Sequence, residues 1–407
     1  MWFPTTSGNG SIGFFADESE VFDELAHTLF GAYSKISEKT CEAELKKTFA
    51  QLFVDRRKRN LERLTAARLS ELYIKLSDWE AHRPLVYIEV SGLHFEGASW
   101  KFGPARLLRG NHSDIESLRT SIATKDGQKP DPIPEGTTVI EITSEGDAGY
   151  AKRVGKQRAQ EVIDALQFLS LPENRDSWDA GIQRFVIQLG AEEPFVRQNS
   201  WCYSPNGPTW YSDSGILKAP TAQFHRCVLS AQNKKLHQKR GGDELEQLLS
   251  ALNPSALDIS IKICISWIAS AVRENDPVKK YLGFFIALEA LFLPDIKSSR
   301  DTDNRLATIL PIPDCVAFLT KKHAKDRRST YDQVSQLTRI RNHIVHRGSS
   351  ELAVRDVQRL GVIAWNCCVA ALTKRAHFRT DGSFREYLVR LKFGQRPIVK
   401  TSKAMLS

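Results

Sequence analysis

Between Arg339 and Gly348 the chain reads Arg-Ile-Arg-Asn-His-Ile-Val-His-Arg-Gly, which crowds guanidinium, amide and imidazole groups into about two turns of a helix. Leu337, Ile340 and Ile344 recur at helical spacing, so one face is apolar and the polar groups share the other. Asn342 and His346 are i, i+4 neighbours, one turn apart. Arg341 starts about 140° round the helix from His346, and its long stem reaches far enough to swing back toward the imidazole. Imidazole is the side chain that takes and gives protons near neutral pH. A planar guanidinium matches the oxygens of a phosphate. The set therefore suits proton transfer beside a developing negative charge, with His346 as acid or base, Arg341 as anion stabiliser and Asn342 orienting one or the other. Arg339 and His343 form an overlapping second pair.

The elements that must position this set lie upstream. Leu282, Phe285, Glu289 and Phe292 share a face of a helix that Pro277 starts, since a first-turn proline loses no hydrogen bond. A carboxylate among aromatics needs a cation, because an unpaired buried charge costs several kcal/mol, on the order of what one mutation can undo. Arg341 and Arg305 are the candidate partners of Glu289. The stretch from Leu257 to Val272 fits both strand alternation and a helical stripe, and its helical surroundings favour the helix. Gly348 ends the motif helix.

Three blocks in order, Tyr281-Leu-Gly-Phe-Phe-Ile-Ala-Leu-Glu289-Ala-Leu-Phe, then Asn304-Arg305-Leu306-Ala307, then Arg341-Asn342-x-x-x-His346, resemble the Apea-like branch of the HEPN superfamily. The resemblance covers roughly residues 245–375. It implies a dimeric all-helical domain and a metal-independent RNA endonuclease with no cofactor, frequently a toxin or antiphage effector. RNA supplies its own nucleophile, the 2′-OH. One Arg/Asn/His set lacks a second acid or base unless His343 serves, and two sets across a dimer axis supply both. The principal residues implied are Arg341, Asn342 and His346, with Glu289, Arg305, His343 and Arg339 supporting them. The other readings are a non-catalytic HEPN dimerisation or RNA-binding protein, and a regulator of a neighbouring toxin or nucleotidyltransferase.

The rest of the chain sets the frame. Its 407 residues have room for two domains, and a formal charge of +9 leans toward a polyanionic partner. Seven cysteines without a C-x-x-C exclude a zinc ribbon or thioredoxin-like motif, and Cys367 and Cys368 read as small core hydrophobes. The first residues lack a signal-peptide pattern and no apolar run is long enough to span a bilayer, so a cytoplasmic protein is expected.

The expected fold class is α+β: a mixed helix and antiparallel-strand module over residues 17–230, a basic linker over 231–242, an all-α domain over 243–376, and a basic tail over 377–407. Within the first module helices are expected from Glu18 to Trp79, strands at 83–90 and 137–143, and a small antiparallel meander through Leu108. A helix over 150–171 should stop at Pro172. The basic run Arg56-Arg57-Lys58-Arg59 reads as a solvated face, since no aromatic interleaves it. Trp100, Trp201 and Trp210 read as core residues, and His237 as an exposed linker histidine. No nucleotide-binding, nucleophile-elbow or zinc-protease motif occurs in this module, so a sensing or binding role falls to it by default.

Overall fold

The computed structural model describes residues 2–4, 11–13, 31–55, 61–117, 120, 137–171, 188–189, 195–204, 207–218, 227–229, 235, 237–293, 311–348, 352–378 and 383–394. In chain order the elements are β1 (Trp2–Pro4), β2 (Ser11–Gly13), α1 (Glu38–Asp55), α2 (Leu61–Ala81), β3 (Leu85–Ser91), β4 (Leu93–Phe95), β5 (Ser99–Phe102), β6 (Ala105–Arg109) and β7 (Thr138–Thr143). There follow α3 (Ala148–Ser170), β8 (Gln188–Leu189), β9 (Phe195–Ser204), β10 (Gly207–Lys218) and β11 (Cys227–Leu229). Helices then run to the end: α4 (Gly242–Ser250), α5 (Ala256–Arg273), α6 (Pro277–Phe292), α7 (Ile312–Thr320), α8 (Ala324–Arg347), α9 (Val354–Lys374) and α10 (Ser383–Lys392). The protein is α+β, an antiparallel sheet with helices followed by an all-helical C-terminal region. Two compact units interleave along the chain: Met1–Glu89, Ala105–Ala159 and Glu193–Ala219 form the first, and Val90–Pro104, Gln160–Glu192 and Pro220–Ser407 the second.

The first unit holds strands in the order β10, β9, β3, β7, β6. β9 pairs antiparallel with both β10 and β3, and β6 pairs antiparallel with β7, Leu107 facing Ile140 in the register. Val139, Ile140 and Ile142 of β7 are buried, and because the consecutive Val139 and Ile140 point to opposite faces the strand is covered on both, which suits its β-branched residues. Asp147 ties the N-terminus of α3 to the loop before α1. Its carboxylate accepts from the amides of Ser37, Gly149 and Tyr150 and from the Thr40 hydroxyl, at 2.6–3.2 Å. Such a cap supplies acceptors that the first turn of a helix lacks. Gly155 lets α3 approach β3, because a Cβ there would fall 2.8 Å from Val86 Cγ2. The basic run 56–59 lies outside the described residues.

The second unit is organised round α5, α6 and α9. The Ser255 capping box starts α5, and Asp276 caps α6 by accepting from the amides of Val278 and Lys279, with Pro277 in the first turn as expected. Gly283 allows α6 to press on α5, since a Cβ there would stand 2.9 Å from that of Ala271. The C-terminal half of α3 is held by Arg273 to Asp164 at 2.7 Å and by the Trp365 indole donating to the Phe168 carbonyl at 3.0 Å. Cys264, Cys315, Cys367 and Cys368 are buried and free, and burial pushes the thiols of Cys264, Cys315 and Cys367 up, so they pack as hydrophobes. No helix among the described residues is long and apolar enough to cross a membrane.

Two expectations are corrected. β4 does not continue an antiparallel meander; it pairs in parallel with β11, Leu93 facing Cys227. A partner some 130 positions downstream leaves no mark on local periodicity. His237 is not exposed but buried. The chain turns at Gly241, φ +85°, and brings Gly242 so close to the His237 carbonyl that a Cβ would lie 2.9 Å from it. Arg240 is buried as well, donating to the Leu169 carbonyl at 2.6 Å.

Burial, aided by the Arg240 charge, lowers the His237 pKa from 6.5 to about 4. Between those values the unfolded chain binds a proton that the folded chain refuses, so stability falls as pH drops through that window. The expected loss is on the order of 2–3 kcal/mol. Urea unfolding of the wild type and His237→Gln at pH 7 and pH 4.5 checks this: the variant should lose less stability between the two.

Candidate functional site

The candidate site is built where α8 crosses α6. Tyr281, Phe285 and Glu289 stand at i, i+4 and i+8 on α6 and so form one ridge; Leu337 and Arg341 stand at i, i+4 on α8 and meet it. At the first crossing point the buried Tyr281 hydroxyl donates to the Leu337 carbonyl at 2.6 Å. Burial raises the phenol pKa, which keeps the proton on the donor. At the second, Arg341 Nη2 donates to Glu289 Oε1 at 3.2 Å, and the guanidinium lies over the Phe285 ring, 5.6 Å from its centroid. Both charged side chains keep 29% of their surface, so the pair is half-buried and partly screened. Glu289 therefore takes Arg341 as its partner. Arg305 lies outside the described residues.

The apolar stripe predicted for α8 faces inward, with Val334, Leu337 and Ile344 buried. The opposite face is open: Arg339, Asn342, His343, His346 and Arg347 are all exposed. Gly348 closes the helix at φ +64°, its amide donating to the Ile344 carbonyl. Glycine reaches this left-handed conformation without steric cost, so the last turn, which carries His346, ends cleanly.

The structure brings some of the expected residues together and keeps others apart. Arg341 joins Glu289 and reaches Asn342, Nη1 to Oδ1 at 3.4 Å, a weak contact between exposed neighbours. The swing of Arg341 back toward His346 does not occur, because the Glu289 carboxylate and the Phe285 ring hold the guanidinium on the α6 side. Asn342 and His346 share a face one turn apart, and no hydrogen bond joins them among the described residues. Phe285 was legible as a face-mate of Glu289 but not as the platform of Arg341, and Tyr281 was legible only as part of a block. The i, i+4, i+8 spacing of Tyr281, Phe285 and Glu289 is the signal that names all three.

Of a guanidinium's five N–H groups, the contacts to Glu289 and Asn342 engage two. The open face of α8 presents the Asn342 amide and the His346 imidazole one turn apart, and the Arg341 guanidinium, on the α6 side, contacts Asn342. Among the described residues no group of three or more His, Cys, Asp or Glu side chains is placed to hold a metal ion. Comparison with protein-family models, with curated proteins and with solved structures finds no match.

Two substitutions separate the crossing points. Tyr281→Phe removes a buried hydrogen bond and should lower the unfolding free energy by about 1 kcal/mol. Glu289→Gln breaks a half-exposed ion pair and should cost less than about 1 kcal/mol. Denaturant titration of both variants at pH 7 checks the order, and a larger loss for Glu289→Gln would refute it.

Proposed function

We propose that this chain is a metal-independent RNA endonuclease of the HEPN type, acting in the cytoplasm as a toxin or antiphage effector. The observation that carries the reading is the oriented Arg341 guanidinium, held by Glu289 and Phe285 and in contact with Asn342, with the exposed His346 one turn beyond Asn342 on the same helix. In the reaction a base removes the proton of the 2′-OH, and the 2′ oxygen bonds to the adjacent phosphorus. The bond from phosphorus to the 5′ oxygen breaks, and that oxygen takes a proton, giving a 2′,3′-cyclic phosphate and a 5′-OH. His346 serves as base or acid, and imidazole is suited to either task near neutral pH. Arg341 stabilises the charge that builds on the phosphoryl oxygens, which is where oriented donors act most strongly.

One protomer supplies a single principal imidazole, while the displacement needs a proton taken at one oxygen and given at another. A second copy placing its own His346 across the cleft completes the set, which is why the proposal includes a homodimer. An apolar ridge on α5 suits such an interface: Ile259, Ile263 and Trp267, at i, i+4 and i+8, are 47%, 43% and 39% exposed. The same ridge is the observation that favours a second reading, a non-catalytic dimerisation or RNA-binding protein.

Incubating the full chain with labelled RNA in excess EDTA tests the first reading. The wild type should cleave, and His346→Ala should lose about 100-fold or more of the rate while keeping its melting temperature. Cleavage by His346→Ala at the wild-type rate removes the mechanism; absent cleavage by the wild type with RNA still bound favours the second reading.

A further inference from the structure

From Gln333 to Gly348 helix α8 contains three arginines, two histidines and no Asp or Glu. Among the described residues the one carboxylate paired with this stretch comes from α6 and is taken by Arg341. Arg339, His343 and Arg347 are exposed and make no ion pair among the described residues. Several other arginines of the second unit are matched with acids: Arg273 with Asp164, Arg328 with Asp332, Arg359 with Asp356, Arg375 with Asp258 and Arg390 with Glu386. Outside the Arg341–Glu289 pair, the end of α8 is a strip of exposed basic side chains with no acid paired to it among the described residues.

Its geometry is regular. Arg339, His343 and Arg347 stand at i, i+4 and i+8 and form one ridge, each about 6 Å further along the axis than the last. The ridge runs beside the one that carries Asn342 and His346. Favourable interaction with the helix dipole accounts for cations in the last turn, so it covers Arg347. It does not cover Arg339, two turns before the end, because the dipole's influence is confined to the last turn. In the other direction the same ridge continues through Ser335 to Tyr331, which carry no charge. The strip is therefore bounded by uncharged residues at one end and by Gly348 at the other.

We propose that Arg339, His343 and Arg347 bind consecutive backbone phosphates of one RNA strand and so set which 2′-OH lies beside His346. They are positioning residues, and the assignment rests on the ribonuclease reading for its direction but not for the binding itself. Phosphates of an extended single strand recur at a spacing a one-turn ladder of cations can follow, and arginine forks engage their oxygens in pairs. The track is about 12 Å long, enough for three phosphates. Contacts of this kind carry little base preference, so sequence choice is left to groups off this ridge.

The test uses the full chain, EDTA, and a fluorescent single-stranded 2′-O-methyl RNA 12-mer, which cannot be cleaved because it lacks a free 2′-OH. Anisotropy titrations from 50 to 500 mM NaCl give affinity and its salt dependence. Arg339→Gln and Arg347→Gln should each weaken binding about tenfold at low salt. Each should also flatten the slope of log K against log salt by about 0.7, the value for one single-strand phosphate contact. Arg390→Gln, whose parent pairs with Glu386 on α10, should change neither. On cleavable RNA the two α8 variants should raise KM with kcat within about twofold. Unchanged affinity and slope in both variants, or no binding by the wild type, overturns the track. If the variants lose binding while the wild type cleaves nothing, the track stands and the ribonuclease reading falls; wild-type cleavage with unaltered variants gives the reverse.

Discussion

A charge drawn half out of water must find its counter-charge, and in this protein that requirement fixes the register of two helices. Glu289 sits among aromatics on α6, and Arg341 of α8 answers it. Because both partners lie on these ridges, the pair forms only if the ridge Tyr281–Phe285–Glu289 meets Leu337 and Arg341 in step. The Tyr281 bond to the Leu337 carbonyl, one turn away along α8 and about two along α6, enforces the same step independently. Behind α6 stands α5, brought close by the absence of a side chain at Gly283. The orientation of one guanidinium thus depends on a glycine on the far side of the neighbouring helix.

The consequence is a helix with two separate duties on its two faces. The inward face of α8 is packed and bonded, and its conformation is settled before any ligand arrives. The outward face keeps Asn342, His343 and His346 in water. An active group is most useful when its own position is fixed and its reactive atoms are free. Arg341 stands at the boundary, engaged on one side by Glu289 and Phe285 and open on the other.

Much of this could be read from residue order. The helical period of α8, its end at Gly348, the proline start of α6 and the need of Glu289 for a cation all follow from local pattern and the cost of unpaired charge. The helical choice for residues 257–272 also holds, α5 spanning Ala256–Arg273. What was not legible depends on contacts made at long range. β4 meets β11 across more than a hundred residues, and His237 is buried because two glycines turn a polar segment inward, against what its composition implies. The direction of Arg341 is a third case. Helix geometry left its stem free to lean either way, and the decision came from α6, which no arithmetic on α8 alone contains.

Stability by itself does not explain the composition of the last turns of α8. An exposed helix is ordinarily laced with Glu and Lys at i, i+4, each pair contributing a few tenths of a kcal/mol, about 0.3. From Gln333 onward α8 forgoes every such pair and instead sets the basic side chains Arg339, His343 and Arg347 in line with no acid among them. The deficit is small beside what Leu337 and Ile344 contribute by burial, about 1.5–3 kcal/mol each, so the fold tolerates it readily. Tolerance is not a cause. A strip of basic side chains that forgoes helix-stabilising pairs and is paired with no acid among the described residues acquires a physical rationale when an anion outside the chain completes it. The spacing of the strip, one cation per helical turn over two turns, limits that anion to something extended, polyvalent and regular along its length.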